Sequence, residues 1–164
     1  MNHFPDALRT RLTQGLALIA VICVALTSQV SGQTEKASAL QDEAPLFQEY
    51  RGVRIGMAAG EVRKKLGDPA DKGEEQDFFI FSENETAQIV YDKSKMVTAI
   101  SFDFLNGARD VPTPLILFGA EIEAKPDGSM YKMVRYPKAG YWLSFNRTSG
   151  DSPLTTVTMQ KLEP

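Results

Sequence analysis

The run Ile55-Gly56-Met57-Ala58-Ala59-Gly60-Glu61-Val62-Arg63-Lys64-Lys65-Leu66-Gly67-Asp68-Pro69 limits the folds open to this chain more than any other stretch does. Val62 and Leu66 lie four residues apart and so share one helical face, while Arg63, Lys64 and Lys65 are expected to turn to solvent. Gly67 stands where a left-handed C-terminal cap is wanted. The basic residues suit the negative end of the helix dipole, and Pro69 blocks continuation. A helix over 58–66 with a defined stop is the expectation, and Leu66→Ala would be costly if that side chain plugs the core.

Beyond a charged loop holding Glu74 and Glu75, strand patterns follow at 77–81, 87–92 and 96–104. Ala87, Ile89 and Tyr91 fall on one face of the second. Met96, Ile100, Phe102 and Phe104 fall on one face of the third, and Asp92-Lys93-Ser94-Lys95 reads as the turn between them. A looser version of the same order returns in the second half. Thr113 caps a turn with Pro114 at its first position, Leu115 to Phe118 continue it, and Gly119 ends it. Pro126-Asp127-Gly128 marks a turn before strands near 130–136, 140–147 and 154–162. The spacing predicts an α+β fold of two tandem units, each a short helix plus a three-stranded antiparallel sheet, packed as one compact body. The expected units are 46–108 and 109–164. Each alone is too small for a sufficient core without disulfides or metal, which is why they are expected to pack together.

The first 32 residues read as a signal peptide: Arg9 and Arg11, then an apolar run from Leu16 to Leu26, then Val30-Ser31-Gly32 as a cleavage site. That run is short of the roughly 20 apolar residues a membrane helix needs, so no stable membrane insertion is expected after cleavage. Residues 33–45 are polar and rich in small side chains, as in a flexible linker. The chain's one cysteine, Cys23, and its one histidine, His3, both lie in the expected signal segment. Cleavage would leave neither, which removes thiolate nucleophiles, Ser-His-Asp and Cys-His constellations, and the usual zinc ligands. No cofactor or metal site is expected. Loss of Arg9, Arg11 and Asp6 moves the formal net charge from −3 to about −4, which offers no basic footprint for nucleic acid. A periplasmic or secreted location follows from the signal.

Gly56-Met57, Glu61-Val62, Leu66-Gly67 and Pro69, followed by a strand, a hairpin and the apolar strand Met96-Val97-Thr98-Ala99-Ile100, resemble two bacterial groups. One is the outer-membrane lipoprotein of the β-barrel assembly machinery, the SmpA/OmlA family. The other is the secreted β-lactamase inhibitory protein. The resemblance covers about Val53 to Phe104, and Met130 to Leu162 only by layout. It implies a non-enzymatic protein that offers a sheet face or edge to a partner protein in the bacterial envelope or outside the cell. The chain departs from these groups in lacking a lipid-attachment cysteine after the signal, in having Ala58 where a Ser or Thr helix cap is usual, and in carrying no cysteine pairs.

If Tyr141, Leu143 and Phe145 face the helices, Trp142, Ser144 and Asn146 face the other way. Trp142 would then be either an anchor for a partner or a cover for the junction between the two units. Tyr131, Tyr136 and Asn146 are further candidates for partner binding. Glu74, Glu75 and Asp77, with Glu83 and Glu85, form acidic clusters that read as solvated charge and lack the spacing of a calcium loop. The same carboxylates keep open a competing reading as a hydrolase of cell-wall carbohydrate, which requires two carboxyl groups converging in one cleft. A structural secreted domain without a tight partner is the third reading.

Overall fold

The computed structural model describes residues 44–163. The expected signal peptide and nearly all of the expected linker lie outside these residues. The elements in chain order are α1 (Ala59–Leu66), β1 (Asp71–Lys72), β2 (Gln76–Ser82), β3 (Glu85–Tyr91), β4 (Val97–Phe104), α2 (Pro114–Phe118), β5 (Met130–Tyr136), β6 (Tyr141–Arg147) and β7 (Thr155–Lys161).

All seven strands form one antiparallel sheet in the order β1-β2-β3-β4-β7-β6-β5. This corrects the expected α+β arrangement of two tandem helix-plus-three-strand units: the fold is mainly β. The reason is the pairing of β4 with β7. Ala99 to Phe104 are in register with Gln160 to Thr155, so the ladder runs through the middle of the molecule without a break. The two helices among the described residues, of 8 and 5 residues, are too small to make layers of their own. They cover part of a face that belongs to the whole sheet.

That inner face collects the apolar positions of every strand by the two-residue period. Phe79 comes from β2, Ala87, Ile89 and Tyr91 from β3, and Ile100, Phe102 and Phe104 from β4. Val157 and Met159 come from β7, and Tyr141, Leu143 and Phe145 from β6. A register shift between Val90 and Tyr91 breaks the alternation at the start of β4. Val97, rather than Met96, therefore takes the buried place.

α1 is held in a way that local rules do not supply. Ala58 makes no side-chain cap; instead the Ala59 N–H donates to the Lys95 carbonyl at 2.9 Å. The Gly56 N–H donates to the Val97 carbonyl, and the Val97 N–H to the Met57 carbonyl. The β3–β4 hairpin thus does the work of the missing Ser or Thr cap. Its turn is fixed by Asp92, whose Oδ1 accepts from the Ser94 and Met96 N–H groups. Gly67 ends α1 at φ 87°, ψ −163°, an extended conformation at positive φ that only glycine adopts readily, rather than in the left-handed helical region. α2 follows the expected capping pattern: Thr113 accepts from the Ile116 N–H, Pro114 comes first, and Gly119 is left-handed at φ 69°.

Val62 is fully buried, whereas Leu66 is only half-buried. The expected apolar face of α1 is therefore centred one turn earlier, on Ala59 and Val62. Val62→Ala should destabilise by about 2 kcal/mol and Leu66→Ala by about 1 kcal/mol, read as midpoint shifts in urea unfolding. A larger loss at Leu66 than at Val62 would contradict this placement.

The segment before α1 crosses the centre of the inner face. Tyr50 stacks on Phe102 with centroids 4.0 Å apart and ring planes 6° apart, and Phe47 packs on the same ring at 5.9 Å. The Tyr141 hydroxyl donates to the Phe47 carbonyl at 2.8 Å, and burial pushes that phenol up to about 12. This segment, α1 and α2 together make the inner cover.

Candidate functional site

The opposite, outer face is built from the alternate residues of the same strands. Strand registers place them in three rows across the sheet. The first row runs Gln76, Val90, Ala99, Gln160, Trp142, Arg135. The second runs Phe78, Gln88, Ser101, Thr158, Ser144, Met133. The third runs Ile80, Thr86, Asp103, Thr156, Asn146, Tyr131. Not one of these residues is buried, whereas most of their inner-face neighbours on β2, β3, β4, β6 and β7 are; on β5 only Tyr136 is.

The middle of this face is polar and short. Ser101 and Thr158 hydroxyls lie 3.1 Å apart, and Thr156 donates to Asp103 Oδ1 at 2.6 Å. Gln88 donates to Gln76 at 2.7 Å. These pairs satisfy one another and leave a low, hydroxyl-rich floor. Its margins are apolar. Ile80 is 60% exposed at one side, and Tyr131 and Met133 are 53% and 46% exposed at the other. Trp142 is half-buried between Gln160 and Arg135 in register. On the Gln160 side lies a depression of about 480 Å³ lined by Val90, Thr98, Ala99, Gln160, Lys161 and Leu162. Small side chains at Ala99 and Thr98 help to leave that hollow; the indole does not line it and reaches it only through its register neighbour Gln160.

Three of the four sequence-expected residues therefore share the outer face, with Tyr131 directly opposite Asn146 and Trp142 two pleat repeats from Asn146 on β6, Ser144 lying between them. Tyr136 does not. It is the register partner of Tyr141, points inward and is 6% exposed, so it belongs to the core. Trp142 lies one strand away from the β4–β7 pairing and does not cover a junction. The sequence reading missed Met133, Arg135, Phe78 and Ile80, which the strand parity of their neighbours identifies.

The acidic residues serve other ends. Asp77 is fully buried on β2 and accepts from Arg63 through two hydrogen bonds of 2.8 and 2.9 Å and from the Tyr91 hydroxyl at 2.7 Å. It is not solvated, and Arg63 is not turned to solvent as expected. Burial by itself would raise the Asp77 carboxyl, but donation from Arg63 and Tyr91 outweighs it and holds the group below the ordinary carboxylate range. Burial, with the Asp77 hydrogen bond second, pushes the Tyr91 phenol well above its usual value. Glu85 accepts from both Arg51 and Tyr50, and Arg51 also lies over the Phe81 ring at 4.3 Å. Exposed Glu74 pairs with Lys95. Asp77 and Glu85 are each tied to a guanidinium, an arrangement that locks α1 and the Tyr50 turn to the sheet. Among the described residues no group of three or more His, Cys, Asp or Glu side chains is placed to hold a metal ion.

No helix among the described residues is long and apolar enough to cross a membrane. No protein-family model, curated protein or solved structure matches the chain.

Proposed function

We propose that the protein is an exported, non-enzymatic binding module of the bacterial envelope or extracellular space that presents the outer face of its sheet to a partner protein. The observation that carries this reading is the outer face itself. Among the described residues one side of the whole sheet has no cover, and it holds a half-buried indole, a hollow one strand away across Gln160, and an exposed Tyr and Met at its margin. Aromatic side chains set in a well-packed surround are the usual anchors of protein interfaces. The low polar floor offers hydroxyl and amide partners, and its carboxylate, Asp103, already accepts from Thr156. The resemblance of Val53 to Phe104 to the SmpA/OmlA family and to β-lactamase inhibitory protein supports the same class of function, and the signal-like first 32 residues support the location.

Binding to immobilised protein from an envelope extract is the test. Trp142→Ala should weaken retention of the specific partner by about 30-fold, corresponding to roughly 2 kcal/mol at an interface anchor. The same substitution should change unfolding stability by no more than about 1 kcal/mol, because the indole is only half-buried. Equal retention by the variant would remove Trp142 and its surroundings from the account.

A further inference from the structure

We infer that β5 is an open docking edge, and that its occupant is an extended acidic segment of the partner protein, added to the sheet as a further strand. The inference rests on the protein-binding reading above and names the partner's chemistry and its mode of attachment.

β5 is the last strand of the sheet and pairs over its full length, Met130–Tyr136, with β6 alone. Apart from that ladder, residues 130–135 make no backbone hydrogen bond to any described residue. One row of their N–H and C=O groups is therefore free to pair with another extended chain. The opposite edge differs. There β1 pairs across Asp77 and Phe78, the Gly73 N–H closes onto the Gln76 carbonyl, and the register shifts between Ile80 and Ser82. Those devices blunt an edge against further pairing, whereas β5 has no bulge or proline and, among the described residues, no covering strand.

Charge selects the occupant. β5 carries Lys132 and Arg135 and no acidic residue, in a chain of net charge −3. Neither forms an ion pair with an acidic side chain among the described residues. Lys132 points to the inner side with its ammonium 5.1 Å from the Phe118 ring centroid, and Arg135 is exposed on the outer side next to Trp142. A strand laid alongside would thus meet a cation on each of its faces. A second copy of β5 would bring four cations together, which like-charge repulsion opposes; a strand with acidic residues on both faces would be matched on both. Tyr131 and Met133 then supply apolar contact on the outer side, continuous with Trp142.

The test uses the full chain with two synthetic probes of β5's length, an alternating Glu/Val peptide and its Lys/Val counterpart, followed by amide hydrogen exchange. The Glu/Val peptide should slow exchange at alternate amides of β5 and bind at least about fivefold tighter than the Lys/Val peptide, a preference that fades as salt is raised. Arg135→Glu should reduce that preference to near parity. Equal affinity for the two peptides, or protection centred away from β5, would overturn the inference. So would a dimer joined through β5 in the peptide-free protein. If either result came with Trp142-dependent retention of an extract partner, strand addition would fall while the sheet-face reading stood. If the Glu/Val peptide protected β5 but retention ignored Trp142, the reverse would hold.

Discussion

Asp77→Ala should destabilise the protein by roughly 3 kcal/mol, the low end of the range for breaking a buried ion pair, because Arg63 keeps part of its hydration. The carboxylate is fully buried and accepts three hydrogen bonds from side chains on two other elements, α1 and β3. Removing it leaves a guanidinium and a phenol without their partner in a low-dielectric setting. Urea unfolding of Asp77→Ala, Arg63→Ala and the double variant measures the coupling. The two single losses should sum to clearly more than the double loss, and simple additivity would show that the contact contributes little.

The same group sets an acid limit. Its folded-state carboxyl lies below the ordinary value of 3.8, so its contribution is fully present above that value and is lost as pH falls through the depressed one. Stability measured from pH 5 downward should therefore decline less steeply in Asp77→Asn than in the wild type, although the variant starts from a lower level. Parallel declines would mean that other carboxylates dominate acid unfolding.

Phe102→Ala should cost about 4 kcal/mol, a cavity loss at a ring that joins the inner cover to the middle of the sheet. Phe102 is fully buried, stacks with Tyr50 and packs edge-on against Phe104 at 5.7 Å. Thermal unfolding gives the loss, and hydrogen exchange gives its reach. Protection should fall at Tyr50 and Val53, whose N–H groups pair with each other's carbonyls at 2.8 Å, as well as along β4. An effect confined to β4 would mean that the segment before α1 is held independently of this ring.

The strands were legible because each turns an alternating row of apolar residues toward one side, and α1 because Gly67 and Pro69 stop it. The joining of β4 to β7 was not legible. Both strands read as apolar on one face and Ser/Thr-bearing on the other, and that pattern is the same whether the strand ends one sheet or continues into another. Asp77 was misread for a related reason: within Glu74-Glu75-Gln76-Asp77 it looks like one more solvated charge. Its parity with Phe79 and Phe81 puts it inward, where Arg63 and Tyr91 must answer it. Tyr136 shows the same lesson at the site, since its hairpin partner Tyr141 was read as inward and the register carries Tyr136 with it. Trp142 and Asn146 share a face by parity alone, whereas Tyr131 joins them through the β5–β6 register, which sets it opposite Asn146. Met133 and Arg135 share the parity of Tyr131 on β5, but their place at the rim follows from the strand order, which only the folded sheet supplies.

Covalent footprinting of the protein with and without the partner retained from envelope extract separates the outer sheet face from the helix side as the binding surface. The expected result is protection of Trp142, Tyr131 and Met133 on the outer face, with the exposed α2 residues Leu115 and Ile116 and the α1 residues Lys64 and Lys65 unchanged. Protection of the helix side with Trp142 still reactive would contradict it.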